Sequence, residues 1–207
     1  MTQAHVNVVF DLGNVLLRWD PRFLYRQIFA GDEERMEWFL ANICTNAWNI
    51  EQDKGRTFED GVRILAEQHP DHAQHIHAYH ERWHETLPGA IEDTVVILDE
   101  LHQNGVPLYA ITNFNGPKFR ETQKRFDFLN RFRDIVVSGE VKMLKPDPGI
   151  YEHFLERNRL TPESCLFIDD SAANVAGARE VGIEALHFTA PQQLRRELSA
   201  YGVLTAR

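Results

Sequence analysis

The sequence predicts an α/β protein, a doubly wound parallel sheet interrupted by an all-helical insert. Three observations carry that reading. Residues 6–10 form an apolar, β-branched run with the look of a strand buried on both faces. From residue 87 onward, short apolar runs alternate with amphipathic stretches, the pattern of βαβ crossovers. Between them, residues 18–86 show helical spacing and no strand alternation. The expected division is therefore a core of residues 1–17 and 87–207 and a helical cap of residues 18–86.

In chain order, the first strand delivers Asp11 and then Gly13, a residue free to adopt backbone angles that others avoid. Asp20-Pro21 is an N-cap followed by a proline suited to a first helical turn, with Leu24 and Ile28 on one face. A second helix starts at Asp32, with Met36, Phe39, Leu40 and Ile43 inward and Cys44 in its last turn. Thr57 and Asp60 resemble a capping box ahead of Phe58, Val62 and Leu65. A fourth helix is expected over 71–86. Pro88-Gly89 punctuates the chain, and a helix from Ile91 to near Gly105 follows. Strands are expected at 107–111, 134–137, 165–168 and 183–187. Helices are expected after Asn113, from Pro148, over 172–181 and over 192–200.

Composition narrows the partners. A length of 207 residues accommodates a sizeable core, and 43% hydrophobic with 26% charged residues is ordinary globular usage. A net charge of −9 argues against non-specific binding to nucleic acid or to anionic membranes. No run approaches membrane-spanning length, and the first residues lack the basic-then-apolar order of a signal peptide. The two cysteines, Cys44 and Cys165, read as buried thiols in a reducing, cytoplasmic setting. Either a monomer or a homodimer is compatible with this composition.

The chemistry lies at the strand ends, because open α/β sheets bind ligands beyond the carboxyl edge of their strands. There the sequence places Asp11, then Thr112-Asn113, then Lys145 ahead of Pro146-Asp147-Pro148, then Asp169-Asp170. Three carboxylates in one crevice repel one another, by roughly 4 kcal/mol per pair at 4 Å and an effective dielectric of 20. They therefore call for a cation, and oxygen-only ligands suit Mg²⁺. Lys145 would neutralise further charge, while the Thr112 hydroxyl and the Asn113 backbone N–H would bind phosphate oxygens. Asp11 is then free to act as a nucleophile toward a small phosphorylated substrate.

These four clusters, in this order, resemble the haloacid dehalogenase-like hydrolases, mostly Mg²⁺-dependent phosphatases with a Rossmann-like core. The likeness spans essentially the whole chain, and residues 18–86 resemble the cap that the family inserts after its first motif. The resemblance implies that Asp11 is nucleophile and metal ligand, and that the Gly13 carbonyl also meets the metal. It assigns Thr112 and Lys145 to phosphate and Asp170 to direct metal ligation, with Asp169 nearby or acting through water. It also admits a hydrolytic dehalogenase, in which Asp11 attacks carbon without a metal, and a binding module that has lost catalysis.

Two other groups of residues have ordinary explanations. His77, His80 and His84 are spaced to share one helix face, which reads as a solvated face rather than a metal site. Trp19, Phe23, Trp38, Phe39, Trp48 and Trp83 read as core of the insert, with one or two lining a substrate pocket.

One departure bears on substrate. The family's usual first motif has a second Asp two residues after the nucleophile, serving as acid and base, and here that residue is Gly13. A positioned acid is worth about 10²–10⁴-fold in rate. Asp-Leu-Gly-Asn-Val is similar to a subgroup that includes bacterial sugar-1-phosphate phosphatases. Either the leaving group needs little protonation, as in an anomeric phosphate, or the substrate or a cap group supplies the proton. Comparing turnover of glucose 1-phosphate and glucose 6-phosphate separates them: a strong preference for the former supports the first, similar rates the second.

Overall fold

The computed structural model describes residues 7–204. The chain lays down β1 (Asn7–Phe10) and β2 (Leu17–Arg18), then helices α1 (Arg22–Ile28), α2 (Glu33–Asn42), α3 (Asn46–Asp53), α4 (Phe58–Gln68) and α5 (Ala73–Glu81). After β3 (Gly89–Ala90), helices and strands alternate: α6 (Glu92–Gln103), β4 (Leu108–Thr112), α7 (Gly116–Arg125), β5 (Asp134–Val137) and the single turn α8 (Ser138–Val141). Then come α9 (Pro148–Asn158), β6 (Cys165–Asp169), α10 (Ala172–Glu180), β7 (Glu184–His187) and α11 (Pro191–Ala200).

Five of the strands form one parallel sheet in the order β5-β4-β1-β6-β7. β1 is central, and the chain proceeds from it to one side and then to the other. The carboxyl ends of β1, β4 and β6 thus flank the point where the winding reverses, where such sheets leave a crevice. Successive residues face opposite layers, as the two-residue period of a strand demands. Val8, Phe10, Leu108, Ala110, Leu166 and Ile168 join one core with Leu98, Leu194 and Leu198. Val9, Tyr109, Ile111 and Phe167 join the other with Ile150, Phe154 and Val175. Covering on both sides explains why these strands read as unbroken apolar runs.

The inserted helices pack around Tyr25, Met36, Phe39, Ile76 and Tyr79, all buried, with the Tyr25 and Phe39 rings 4.8 Å apart. Where the insert leaves and rejoins the sheet, β2 and β3 pair antiparallel as a short strap that the expected all-helical pattern did not contain. The Arg125 guanidinium reinforces it, donating to the carbonyls of Leu87 at 2.8 Å and Pro88 at 2.9 Å.

Several further expectations need correction. Helix α3 was not foreseen: its polar sequence has little apolar periodicity, and its N-cap, Thr45, accepts from the Trp48 N–H at 3.1 Å. The helix expected over 71–86 is broken at Arg82, with short 3₁₀ turns at Pro70–His72 and Trp83–Thr86 flanking α5. His84 therefore leaves the helix that carries His77 and His80, and His80 stacks on Phe58 instead. Cys44 lies just past α2 rather than in it, although it and Cys165 are buried free thiols as expected. Of the aromatic residues assigned to the insert core, Phe39 and Trp83 are buried, but Phe23 and Trp38 are exposed.

Gly177 sits where α10 crosses the loop carrying Lys145. A Cβ there would run into the Pro146 carbonyl group, which is backbone and cannot swing aside. Alanine gains about 1 kcal/mol of helix propensity over glycine, and overpacking costs about 1–3 kcal/mol. Gly177→Ala is expected to lower stability on balance, read as a reduced melting temperature.

Candidate active site

The crevice beyond the sheet collects side chains from four strand ends. Asp11 follows β1 directly and is buried, its N–H donating to the Ile168 carbonyl at 2.8 Å. Asp169 ends β6 and is fully buried. Between them, Lys145 Nζ lies 2.8 Å from Asp11 Oδ1 and 2.6 Å from Asp169 Oδ2. Carboxylate oxygens of Asp11, Asp169 and Asp170 can all lie within 4.8 Å of one another, Asp170 being the most exposed of the three. Among the described residues, that trio is the group of His, Cys, Asp and Glu side chains with metal-holding geometry, and the histidines of α5 do not join it.

Each position has a local cause. The loop carrying Lys145 is pinned by the Asn113 side chain, whose Oδ1 accepts from the Lys145 N–H at 2.9 Å and whose Nδ2 donates to the Lys145 carbonyl at 2.9 Å. Asp169 Oδ1 accepts the Ser171 N–H at 2.8 Å, and the Asn174 amide donates to both Asp169 oxygens at 3.0 Å. With Lys145 added, Asp169 is heavily engaged by protein donors and acts as the anchor of the ammonium. Asp170 opens into a cavity of about 450 Å³, which it shares with Asp11, Gly13, Asn113, Lys145 and Asn174.

Other expectations are revised here. Gly13 lines that cavity, but its backbone does not use the left-handed region. The positive φ of the turn, 53°, falls on Asn14 instead. A Cβ at Gly13 would meet no atom within 4 Å, so the position has room for a side chain and simply lacks one. Thr112 ends β4 as expected and is buried, and it is not among the residues lining the cavity. The Asn113 side chain clamps Lys145, a role distinct from the backbone contact to phosphate expected of that residue.

Reading by strand ends missed Asn174, Asn49 and Asp53, which also line the cavity, as does Trp19, one of the aromatic residues from which one or two pocket-lining side chains were expected. Asn174 carried a signal, because Ser171 caps α10 and the residue three further on faces back toward the strand end. The others sit on the insert or at its entry, and nothing in their spacing ties them to the sheet.

The electrostatics point to a missing positive charge. Burial pushes the Asp11 carboxyl up to about 7; Lys145 opposes the rise, while Asp169 and Asp170 add to it. Burial and the neighbouring Asp169 also raise Asp170. Burial works against the Lys145 charge, but Asp11 and Asp169 outweigh it and raise that pKa, so the ammonium persists. One ammonium against three carboxylates leaves two negative charges, and the all-oxygen donor set suits a hard divalent cation.

Comparison with known proteins agrees. Residues 45–188 match the family model described as haloacid dehalogenase-like hydrolase. A sesquiterpene phosphatase from Aspergillus oryzae is 34% identical over 182 residues, covering 87% of this chain and 88% of its own length. A phosphorylated carbohydrates phosphatase from Thermotoga maritima is 25% identical, covering 87% of this chain and 83% of its own. Among solved structures, a haloacid dehalogenase family enzyme from Bacteroides thetaiotaomicron, in complex with magnesium and inorganic phosphate, superposes with a TM-score of 0.69 at 25% identity. That match covers 89% of this chain and 94% of the other.

The raised pKa of Asp11 makes stability pH-dependent. A carboxyl at about 7 when folded and near 3.8 when unfolded favours the folded state fully below the lower value, and the benefit is lost as pH rises through about 7. A bound divalent cation needs the ionised carboxylates and reverses the penalty. The melting temperature of metal-free protein is expected to show this loss between pH 5 and pH 8. Added Mg²⁺ should raise the melting temperature more at pH 8 than at pH 5.

Proposed function

The chain belongs to the haloacid dehalogenase-like hydrolase family and is a phosphatase, and we propose that it hydrolyses a small organic phosphate monoester with Mg²⁺, by way of a phosphoryl group carried on Asp11. Sugar 1-phosphates fall within its proposed substrate range. The observation that carries this reading is the convergence of Asp11, Asp169 and Asp170 with the Lys145 ammonium bonded to two of them.

In this reading the Asp11 carboxylate attacks phosphorus and the ester oxygen departs. Lys145 is already poised beside Asp11 and balances the charge on the phosphoryl oxygens as they approach. Asn113 and Asp169 hold Lys145 in place and need not touch substrate. Water then attacks the phosphorylated Asp11 and restores its carboxylate. Mg²⁺, held by Asp11, Asp170 and the Gly13 carbonyl, would supply charge neutralisation and polarisation of the phosphoryl group.

The leaving group has a place of its own. A second pocket of about 80 Å³ runs from Gly13 and Asn113 past Trp19, Trp83, Leu87 and Phe114. Its walls combine the rings of Trp19, Trp83 and Phe114 with the polar side chains of Asn49, Asp53, Asn113 and Asn115, which suits an organic group with both apolar and polar parts. The relatives named above are a sesquiterpene phosphatase and a phosphorylated carbohydrates phosphatase, which supports an organic phosphate with a hydrocarbon or sugar leaving group. A cytoplasmic setting goes with the reading, since both thiols are free and buried.

A metal-free dehalogenase is disfavoured, because three carboxylates would oppose a haloacid's own charge. The deciding assay is hydrolysis of p-nitrophenyl phosphate, whose activated leaving group needs no acid. Turnover is expected to be stimulated by Mg²⁺, abolished by chelator and reduced by about 10³-fold or more in Asp11→Asn. Chelator-insensitive activity, or activity surviving in that variant, would count against the proposal.

A further inference from the structure

Gly13 brings no proton to the reaction, yet the crevice holds another carboxylate. Asp53 is the last residue of α3 and lines both volumes, the one it shares with Asp11, Lys145 and Asp170 and the aromatic pocket assigned above to the leaving group. It comes from the inserted helices, so it borders the crevice from the insert and not from a strand end.

The segment around Asp53 is tied to the core by its own carbonyl groups. The Asp53 carbonyl accepts from Ser138 Oγ at 2.6 Å, and those of Gln52 and Arg56 both accept from Asn115 Nδ2 at 3.2 Å. The Gly55 carbonyl accepts from Lys142 Nζ at 3.1 Å. Gly55 itself has φ +106°, and a Cβ there would come within 2.8 Å of the Gly139 carbonyl oxygen, so the turn approaches the core as closely as backbone allows.

The carboxyl group is also oriented. Its Oδ2 accepts from Asn49 Nδ2 at 3.0 Å. Asn49 Oδ1 accepts from the fully buried Tyr79 hydroxyl at 3.0 Å, which turns the amide's N–H groups toward Asp53. Held in this way, Asp53 borders both the phosphate crevice and the leaving-group pocket, where a proton donor to the departing oxygen is needed.

We propose that Asp53 is the acid and base of this reaction, protonating the departing ester oxygen and later taking a proton from the attacking water. The inference rests on the phosphatase reading above. In the first half, the bond from Asp11 Oδ to phosphorus forms, the P–O ester bond breaks, and the Asp53 proton passes to the leaving oxygen, releasing an alcohol. In the second half, water oxygen bonds to phosphorus, its proton passes to the Asp53 carboxylate, and the Asp11–phosphorus bond breaks. Inorganic phosphate leaves, and both carboxyl groups return to their starting states. Burial pushes the Asp53 carboxyl up to about 7, with the Asn115 N–H holding it partly in check, so both protonation states are accessible near neutrality.

The test compares p-nitrophenyl phosphate with benzyl phosphate, probes of similar shape whose leaving groups differ sharply in their need for a proton. The constant kcat/KM reports the steps through leaving-group departure. In Asp53→Asn the ratio of kcat/KM for the nitrophenyl ester to that for the benzyl ester is expected to rise by about 10² or more, the size of a lost general acid. A similar fall on both substrates, or an unchanged ratio, would overturn the inference and leave the phosphatase reading standing. Should the variant fail to fold, the wild type still decides. Turnover of benzyl phosphate within a few tens-fold of the nitrophenyl ester supports an internal acid, and activity confined to the activated ester overturns it. Nitrophenyl phosphate turnover that survives Asp11→Asn removes the phosphatase reading and this inference together.

Discussion

The structure depends on one buried ammonium. Lys145 Nζ sits between Asp11 and Asp169, away from solvent, and it links the loop after β5 to the ends of β1 and β6. Burying any of these charges alone would be expensive. Together they make a cluster whose partners cannot be removed singly, since breaking such a pair leaves an uncompensated charge at a cost of about 3–5 kcal/mol. The two-way amide clamp from Asn113 and the Asn174 amide across both Asp169 oxygens complete the lattice. This arrangement still carries more negative than positive charge. Burial first, and the surplus charge of Asp169 and Asp170 after it, destabilise the ionised form of Asp11 and make the crevice receptive to a divalent cation.

The second constraint is the fit of the insert to the sheet. Its hydrophobic centre is continuous with one of the two core layers, so the inserted helices share the packing that supports β1. At the crevice the contact changes character, from side-chain packing to hydrogen bonds between insert carbonyls and core side chains. Such bonds fix direction as well as distance, and they set the position of Asp53 and the pocket walls relative to the phosphate crevice. Trp19 and Trp83 stand at the two ends of the insert, beside the strap of β2 and β3, and wall the pocket where chain entry and exit meet.

The sequence by itself determined the parallel sheet, the helical insert and the strand-end carboxylates. Apolar runs, caps and Pro/Gly punctuation are local properties, and a strand buried on both faces announces its carboxyl end by the first polar residue after it. Asp11, Asp169 and Asp170 were legible for that reason, and Lys145 by its place ahead of Pro146-Asp147-Pro148 in the segment after β5. Tertiary structure alone decided which donors engage Asp169 and that the Asn113 side chain holds a lysine 32 residues away. It also decided that Asp53, on a polar helix with no periodicity to mark it, faces the crevice. Those facts turn on distances between loops far apart in the chain, and such distances are set by the packing of whole layers, which no stretch of neighbouring residues encodes.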